Sequence, residues 1–142
     1  MRTLFIAALA AGSLLMAGSA TARIVHFTAK LDGPSETPPK AVAGTGSADV
    51  TLDTATRTLS WTVDYSGLTG PATMAHFHGP APVGEAAGVQ IPFKGDLASP
   101  AKGMATLTER QIGDLEAGRW YVNVHTAQYP AGEIRGQLLK AE

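Results

Sequence analysis

The chain has 142 residues, with 11 Lys and Arg against 12 Asp and Glu, so its net charge is −1 with histidine neutral. That near-balance, without any basic run, argues against a nucleic-acid partner. There is no cysteine. Disulfides, thiolate metal sites and a lipid-modified N-terminal cysteine are therefore excluded, and His, Asp, Glu and Met remain as metal-binding side chains.

Met1-Arg2-Thr3 carries one positive charge, residues 4–16 are almost wholly apolar, and residues 17–22 are small, ending Ala20-Thr21-Ala22 before Arg23. This three-part pattern predicts a secretory signal peptide over residues 1–22. The apolar stretch falls short of the ~20 residues that cross a bilayer. Residues 23–142 are then one domain in the periplasm or secreted, with no membrane contact after cleavage.

Period-two alternation marks the strands. Over residues 24–31, Val25, Phe27, Ala29 and Leu31 share one face, with His26, Thr28 and Lys30 opposite. Gly33 to Pro39 cannot be regular structure, because Pro38 and Pro39 remove two donors and fix two φ angles. Glu36 in this stiff loop reads as a solvated carboxylate, with a ligand role or a bridge to Arg135 as the alternatives. Weaker strands are expected over 46–52, 72–78, 88–94, 102–107 and 133–139. Leu59, Trp61, Val63 and Tyr65 alternate against Ser60, Thr62 and Asp64, and Trp120, Val122 and Val124 alternate against Tyr121, Asn123 and His125. One short helix is expected after Thr108. Thr108 and Gln111 form a capping-box pair, Leu107 and Ile112 a hydrophobic staple, and Gly118 suits a left-handed end. The prediction is an all-β protein: an antiparallel Greek-key β-sandwich or barrel with one short helix.

Four histidines carry the chemistry: His26, His76, His78 and His125. Residues two apart on a strand point the same way and lie about 6.5–7 Å apart at Cα. With Ala75 and Phe77 facing the core, His76 and His78 are left together on the opposite face. His125 has the same relation to Val122 and Val124. If the two strands are neighbours, three imidazoles meet on the outer side of the sheet, where the Gly- and Pro-rich loops 79–88 and 127–133 could cover them. Imidazole suits copper and zinc, so a copper ion is expected at His76, His78 and His125, with zinc as the alternative. Met74 shares the face of His76 and His78, and its thioether would suit Cu(I), although methionine also serves as a gap-filler. His26 is a possible fourth ligand, although a histidine near a terminus is normally solvated. His-x-His alone is a weak motif, since histidines also pin loops through carbonyls. No G-x-S-x-G elbow and no phosphate loop is present, and Gly44-Thr45-Gly46 lacks the rest of a dinucleotide fingerprint. No catalytic set is picked out, and the balance leans against an enzyme.

These segments resemble the CHRD domain, a family common among exported bacterial proteins. The resemblance runs from Val25 to Leu138. It rests on Phe27-Thr28-Ala29, Glu36-Thr37-Pro38-Pro39, Leu59-Ser60-Trp61, Tyr65-Ser66-Gly67-Leu68, Ala75-His76-Phe77-His78-Gly79-Pro80, Gly118-Arg119-Trp120-Tyr121-Val122-Asn123-Val124-His125-Thr126 and Gly132-Glu133-Ile134-Arg135-Gly136-Gln137-Leu138. It implies an extracytoplasmic β-domain over residues 23–142 and assigns no chemistry. A looser likeness to Cu/Zn superoxide dismutase puts His76, His78 and His125 at copper positions and Arg135 in the place of an anion-guiding arginine. The zinc loop, the disulfide cysteines and the bridging histidine of that family have no counterpart here.

Three functions follow as expectations. The first is an exported copper-binding protein for storage, delivery or tolerance. The second is a non-enzymatic structural or interaction module in which the histidines, Asn123, Glu133 and Arg135 lock loops. The third is a copper redox enzyme of the superoxide-dismutase type.

Overall fold

The structure is a computed structural model that describes residue 18 and residues 21–142. The signal peptide expected over 1–22 lies almost wholly outside the described residues. The strands are β1 (Ile24–Asp32), β2 (Thr45–Asp53), β3 (Thr58–Ser66), β4 (Ala72–His78), β5 (Val89–Pro92), β6 (Ala101–Thr106), β7 (Tyr121–Thr126), β8 (Ile134–Gln137) and β9 (Leu139–Lys140), with one helix α1 (Glu109–Glu116). They form a single sheet in the order β5-β4-β7-β8-β1-β2-β3-β6, with β9 also on β1, and every pairing is antiparallel.

The sheet curls into a nearly closed barrel. Its end strands β5 and β6 border a shallow cavity of about 230 Å³ lined by Trp61, Ile91, Pro92 and Gly103–Ala105. Strands β4, β5 and β6 follow in sequence and β7 returns beside β4, which is the Greek-key order. The all-β architecture expected from the alternation is therefore present.

The inward residues fill the barrel as the period-two pattern requires. Phe27, Leu31, Val50, Leu52, Leu59 and Val63 are all at most 2 % exposed. Across the barrel, Trp61 meets Phe77 edge-on at 5.1 Å between ring centroids and stacks on Phe93 at 5.1 Å, a favourable pairing of aromatic quadrupoles.

The helix forms as its caps dictate. The Thr108 side chain accepts from the Gln111 amide and the Gln111 side chain accepts from Thr108 N–H. Leu115 is fully buried and Gly118 has φ +72°. The strand expected over 133–139 is split at Leu138. Its N–H bonds the Trp120 carbonyl, and the two halves pair separately as β8 and β9.

What positions the site is the β4–β7 pairing. Met74 lies opposite His125, His76 opposite Asn123 and His78 opposite Tyr121. On the other side of β7, Asn123 lies opposite Arg135 and Tyr121 opposite Gln137 on β8.

Candidate metal centre

Both faces of β7 are buried along its whole length. Val122 and Val124 point into the barrel. Tyr121, Asn123 and His125 point outward, and three loops roof them: residues 33–44, 79–88 and 127–133. The expectation that Gly- and Pro-rich loops cover the histidines is met.

The roof is fastened through the histidines. His78 Nδ1 lies 3.0 Å from the Ala87 carbonyl oxygen, and His125 Nδ1 lies 2.9 Å from that of Pro130. A carbonyl oxygen only accepts, so each Nδ1 carries the proton and each neutral ring keeps a bare lone pair on Nε2. Those two Nε2 atoms point inward to one spot, and His76 joins them with its Nδ1 3.0 Å from His125 Nε2. One ring nitrogen from each of the three histidines lies within 4.8 Å of the others. Ligands held about 2.0–2.1 Å from one ion sit roughly 3–4 Å apart, so a small ring swing closes the set. The rings fan around the spot, with His76 nearly perpendicular to His78 (84°) and to His125 (80°).

Burial sets the protonation. It lowers the pKa of all three histidines. For His76 the fall is to about 4, with burial the main cause and the His125 and His78 charges adding to it. His78 and His125 are lowered by burial against the opposing pull of their carbonyl partners. All three rings are consequently neutral near pH 7, the form that binds metal. In the metal-free chain His76 Nδ1–H donates to the bare His125 Nε2. His76 is only half-buried and its Nε2 makes no protein hydrogen bond, so exchange with solvent can place the proton on Nε2 and free Nδ1.

A layer of buried polar groups backs the trio. Tyr121 stacks flat on His78 (4.8 Å, 1° between planes), and the Arg135 guanidinium sits 3.5 Å from the Tyr121 ring centre. The Tyr121 hydroxyl donates to the Ala87 carbonyl and accepts the Ala87 N–H. Glu36 is 6 % exposed, which corrects its expectation as a solvated loop carboxylate. The loop folds back over β7 and sets Glu36 within the field of Arg135, whose Nη1 donates to Thr37 Oγ1 at 2.9 Å. Burial pushes the Glu36 pKa up, against the Thr37 N–H, the Arg135 charge and the Asn123 amide. Arg135 itself is 2 % exposed. It therefore does not face solvent as an anion-guiding arginine must; β8 holds it under the 33–44 loop.

His26 stays on the exposed face of β1, with Nδ1 3.4 Å from Thr51 Oγ1, and the histidine cluster does not include it. Met74 is 46 % exposed and lies opposite His125 in register. Alternation identifies the outward set of β7. Only the strand order and register bring His76 against Asn123, which is why Asn123 is not among the expected ligands.

Fold and site together define the class: an antiparallel Greek-key barrel carrying a roofed histidine trio on its outer side. The CHRD domain family model matches residues 27–138, and the chain belongs to that family. No curated protein and no solved structure matches it. Among the described residues no helix is long and apolar enough to cross a membrane.

Proposed function

We propose that this chain is an exported metal-binding protein that holds copper, with zinc as the alternative ion, on His76, His78 and His125. Its role on this reading is storage, delivery or tolerance of the metal outside the cytoplasm. One observation carries the reading. Carbonyls fix the proton of His78 and His125 on Nδ1, so two bare Nε2 atoms and His76 Nδ1 converge at contact distance on a common point. A hydrogen-bond partner on the far ring nitrogen is the usual means of orienting a metal-binding histidine. Imidazole donors without thiolate suit a borderline divalent ion.

Copper and zinc content of the chain purified from its own export compartment tests the reading directly. Near-stoichiometric metal in the wild type, lost in the His76→Ala/His78→Ala variant, is the expected result. Wild-type protein that neither carries nor takes up either ion, and whose melting temperature neither ion raises, would overturn it, because a ligand bound only by the native state must raise stability.

A second reading has its own support in the His78–Ala87 and His125–Pro130 contacts, which fasten two loops without any ion. On that reading the domain is a structural or interaction module. Replacing His76, which fastens no loop, would then change neither stability nor any metal response.

A further inference from the structure

Resting on that metal-site reading, we propose that Asn123 is the fourth ligand, through its amide oxygen, and that Glu36 and Gly132 hold the amide in the orientation this requires.

Asn123 Oδ1 lies 2.9 Å from His78 Nε2 and 3.0 Å from His125 Nε2. With both Nδ1 protons committed to carbonyls, neither Nε2 of the neutral rings carries a hydrogen, and an amide oxygen has none to give. Neither Oδ1–Nε2 contact therefore holds a proton; the one hydrogen nearby, on His76 Nδ1, points at His125 Nε2 and leaves the amide oxygen and His78 Nε2 facing each other bare. In a site this buried such a contact is repulsive, and an unpaired polar group costs about 1–3 kcal/mol. A cation at the centre turns the repulsion into coordination, and the spacings match those of neighbouring ligands on one ion.

A flipped amide would also relieve the clash, by turning Nδ2 toward the imidazoles. The far side of Asn123 opposes that. Nδ2 faces the carboxyl of Glu36 across Gly132, and the buried Glu36 Oε1 has no hydrogen-bond partner within reach, so the amide N–H is the donor nearest to serve it. Flipping would set the amide oxygen against that carboxyl oxygen. The approach is possible only because residue 132 is glycine. A Cβ there would lie 2.4 Å from Glu36 Oε1 and 2.8 Å from Asn123 Nδ2, and the backbone has φ +124°. The loop after β7 thus leaves a slot in which the carboxyl faces the amide nitrogen and favours the orientation that aims the amide oxygen at the histidines. The Glu36 loop, 87 residues upstream of Asn123, acts on the metal through that amide, so Glu36 is a positioning residue.

The test follows zinc binding to the full secreted chain by isothermal titration, with the Asn123 side-chain NH2 signals recorded by 15N-edited NMR. Zinc is diamagnetic and leaves those signals visible. The expected result is a large shift of the Asn123 NH2 pair at one equivalent. Asn123→Ala should lose at least the roughly 10- to 100-fold in affinity that removal of an outer-shell partner costs, while Asn123→Asp, which keeps an oxygen at the same place, should bind at least as tightly as the wild type. Glu36→Gln keeps a group beside Nδ2 and should bind more nearly as the wild type than Glu36→Ala. If the wild type takes up no zinc and no copper, the three-histidine reading fails and this inference with it. If the wild type binds but its NH2 pair does not move and Asn123→Ala binds equally well, Asn123 is no ligand and the histidine reading stands. Should Asn123→Ala fail to fold, the wild-type NH2 signals alone decide.

Discussion

The two halves of the barrel treat their outer faces differently. On β1, β2 and β3 the inward residues are buried and most of the outward ones, such as Thr28, Lys30 and Asp64, meet solvent. On β7 the outward residues are as buried as the inward ones. The alternation in sequence is the same in both halves, with apolar residues at every second position. What differs is the roof. Loops 33–44, 79–88 and 127–133 cover β4, β7 and β8 and create a second interior, polar where the barrel's own is apolar. Three of the four histidines lie beneath or at the edge of that roof. His26 lies on the unroofed half. A buried polar layer persists only if its groups satisfy one another or a ligand, and several atoms here have no partner in the protein: Glu36 Oε1, Glu133 Oε2 and Arg135 Nη2.

The largest expected effect comes from removing the proposed ligands on the roofed half. Two of the three imidazoles stand on β4, and their loss removes more than any outer-shell partner, which is worth about 10–100-fold in affinity. His76→Ala/His78→Ala should therefore hold no stoichiometric copper while circular dichroism still reports the β-barrel. The fold survives because the inward face of β4 is Ala75 and Phe77, both at most 1 % exposed. A double variant with full copper content would show that the two halves do not differ in function.

Next in size is the slot at Gly132. Gly132→Ala places a Cβ against Glu36 and Asn123 and asks alanine to adopt φ +124°. Strain and overpacking together should cost about 2–4 kcal/mol, read as a lower denaturant midpoint. The matching change on the unroofed half, Thr28→Ala on the exposed face of β1, should fall within about 0.5 kcal/mol of the wild type.

The sequence carries the strands, the helix caps and the shared face of His76 and His78, because these follow from local alternation and local hydrogen bonds. It places His125 with them only through the condition that its strand is a neighbour of β4. Glu36 shows where local reading stops. Nothing between Gly33 and Pro39 announces that this loop closes over β7, since the groups that receive it, Asn123, Gly132 and Arg135, are far away in sequence. Asn123 was legible as an outward residue of β7. Its place against His76 depends on register, which the sequence pattern leaves open. Arg135 fails for the same reason as Glu36: its burial is decided by a loop from elsewhere in the chain.

A smaller effect separates the halves by pH. The pKa of His76 is lowered to about 4, so the native chain binds fewer protons than the unfolded chain, whose histidines titrate near 6.5. Stability of the metal-free protein therefore has its full value above about pH 6.5 and is lost as pH falls through about 4. Zinc affinity should begin to fall only at a lower pH than in a site of ordinary solvated histidines, because all three imidazoles are held below their usual pKa. Titrations at stepped pH read both quantities. A fall in affinity that begins at pH 6.5 or above would mean that the roof does not keep water from the imidazoles.

The smallest effects belong to the residues that share the site's chemistry without its cover. His26 sits on the unroofed face of β1 against Thr51, outside the cluster. Met74 lies opposite His125 and is 46 % exposed, at the rim. A thioether is a soft donor that selects Cu(I), whereas the proposed set of three imidazoles and an amide oxygen would suit a divalent ion. His26→Ala and Met74→Leu should therefore leave Cu(II) affinity within about threefold of the wild type, well under the 10- to 100-fold expected for an outer-shell partner of the ion. The paramagnetic resonance spectrum of the bound Cu(II) should be unchanged in both. A changed spectrum in Met74→Leu would bring the thioether into the coordination shell and displace the amide oxygen from the fourth position. A changed spectrum in His26→Ala would require β1 to approach β7 across β8, which this sheet order does not allow.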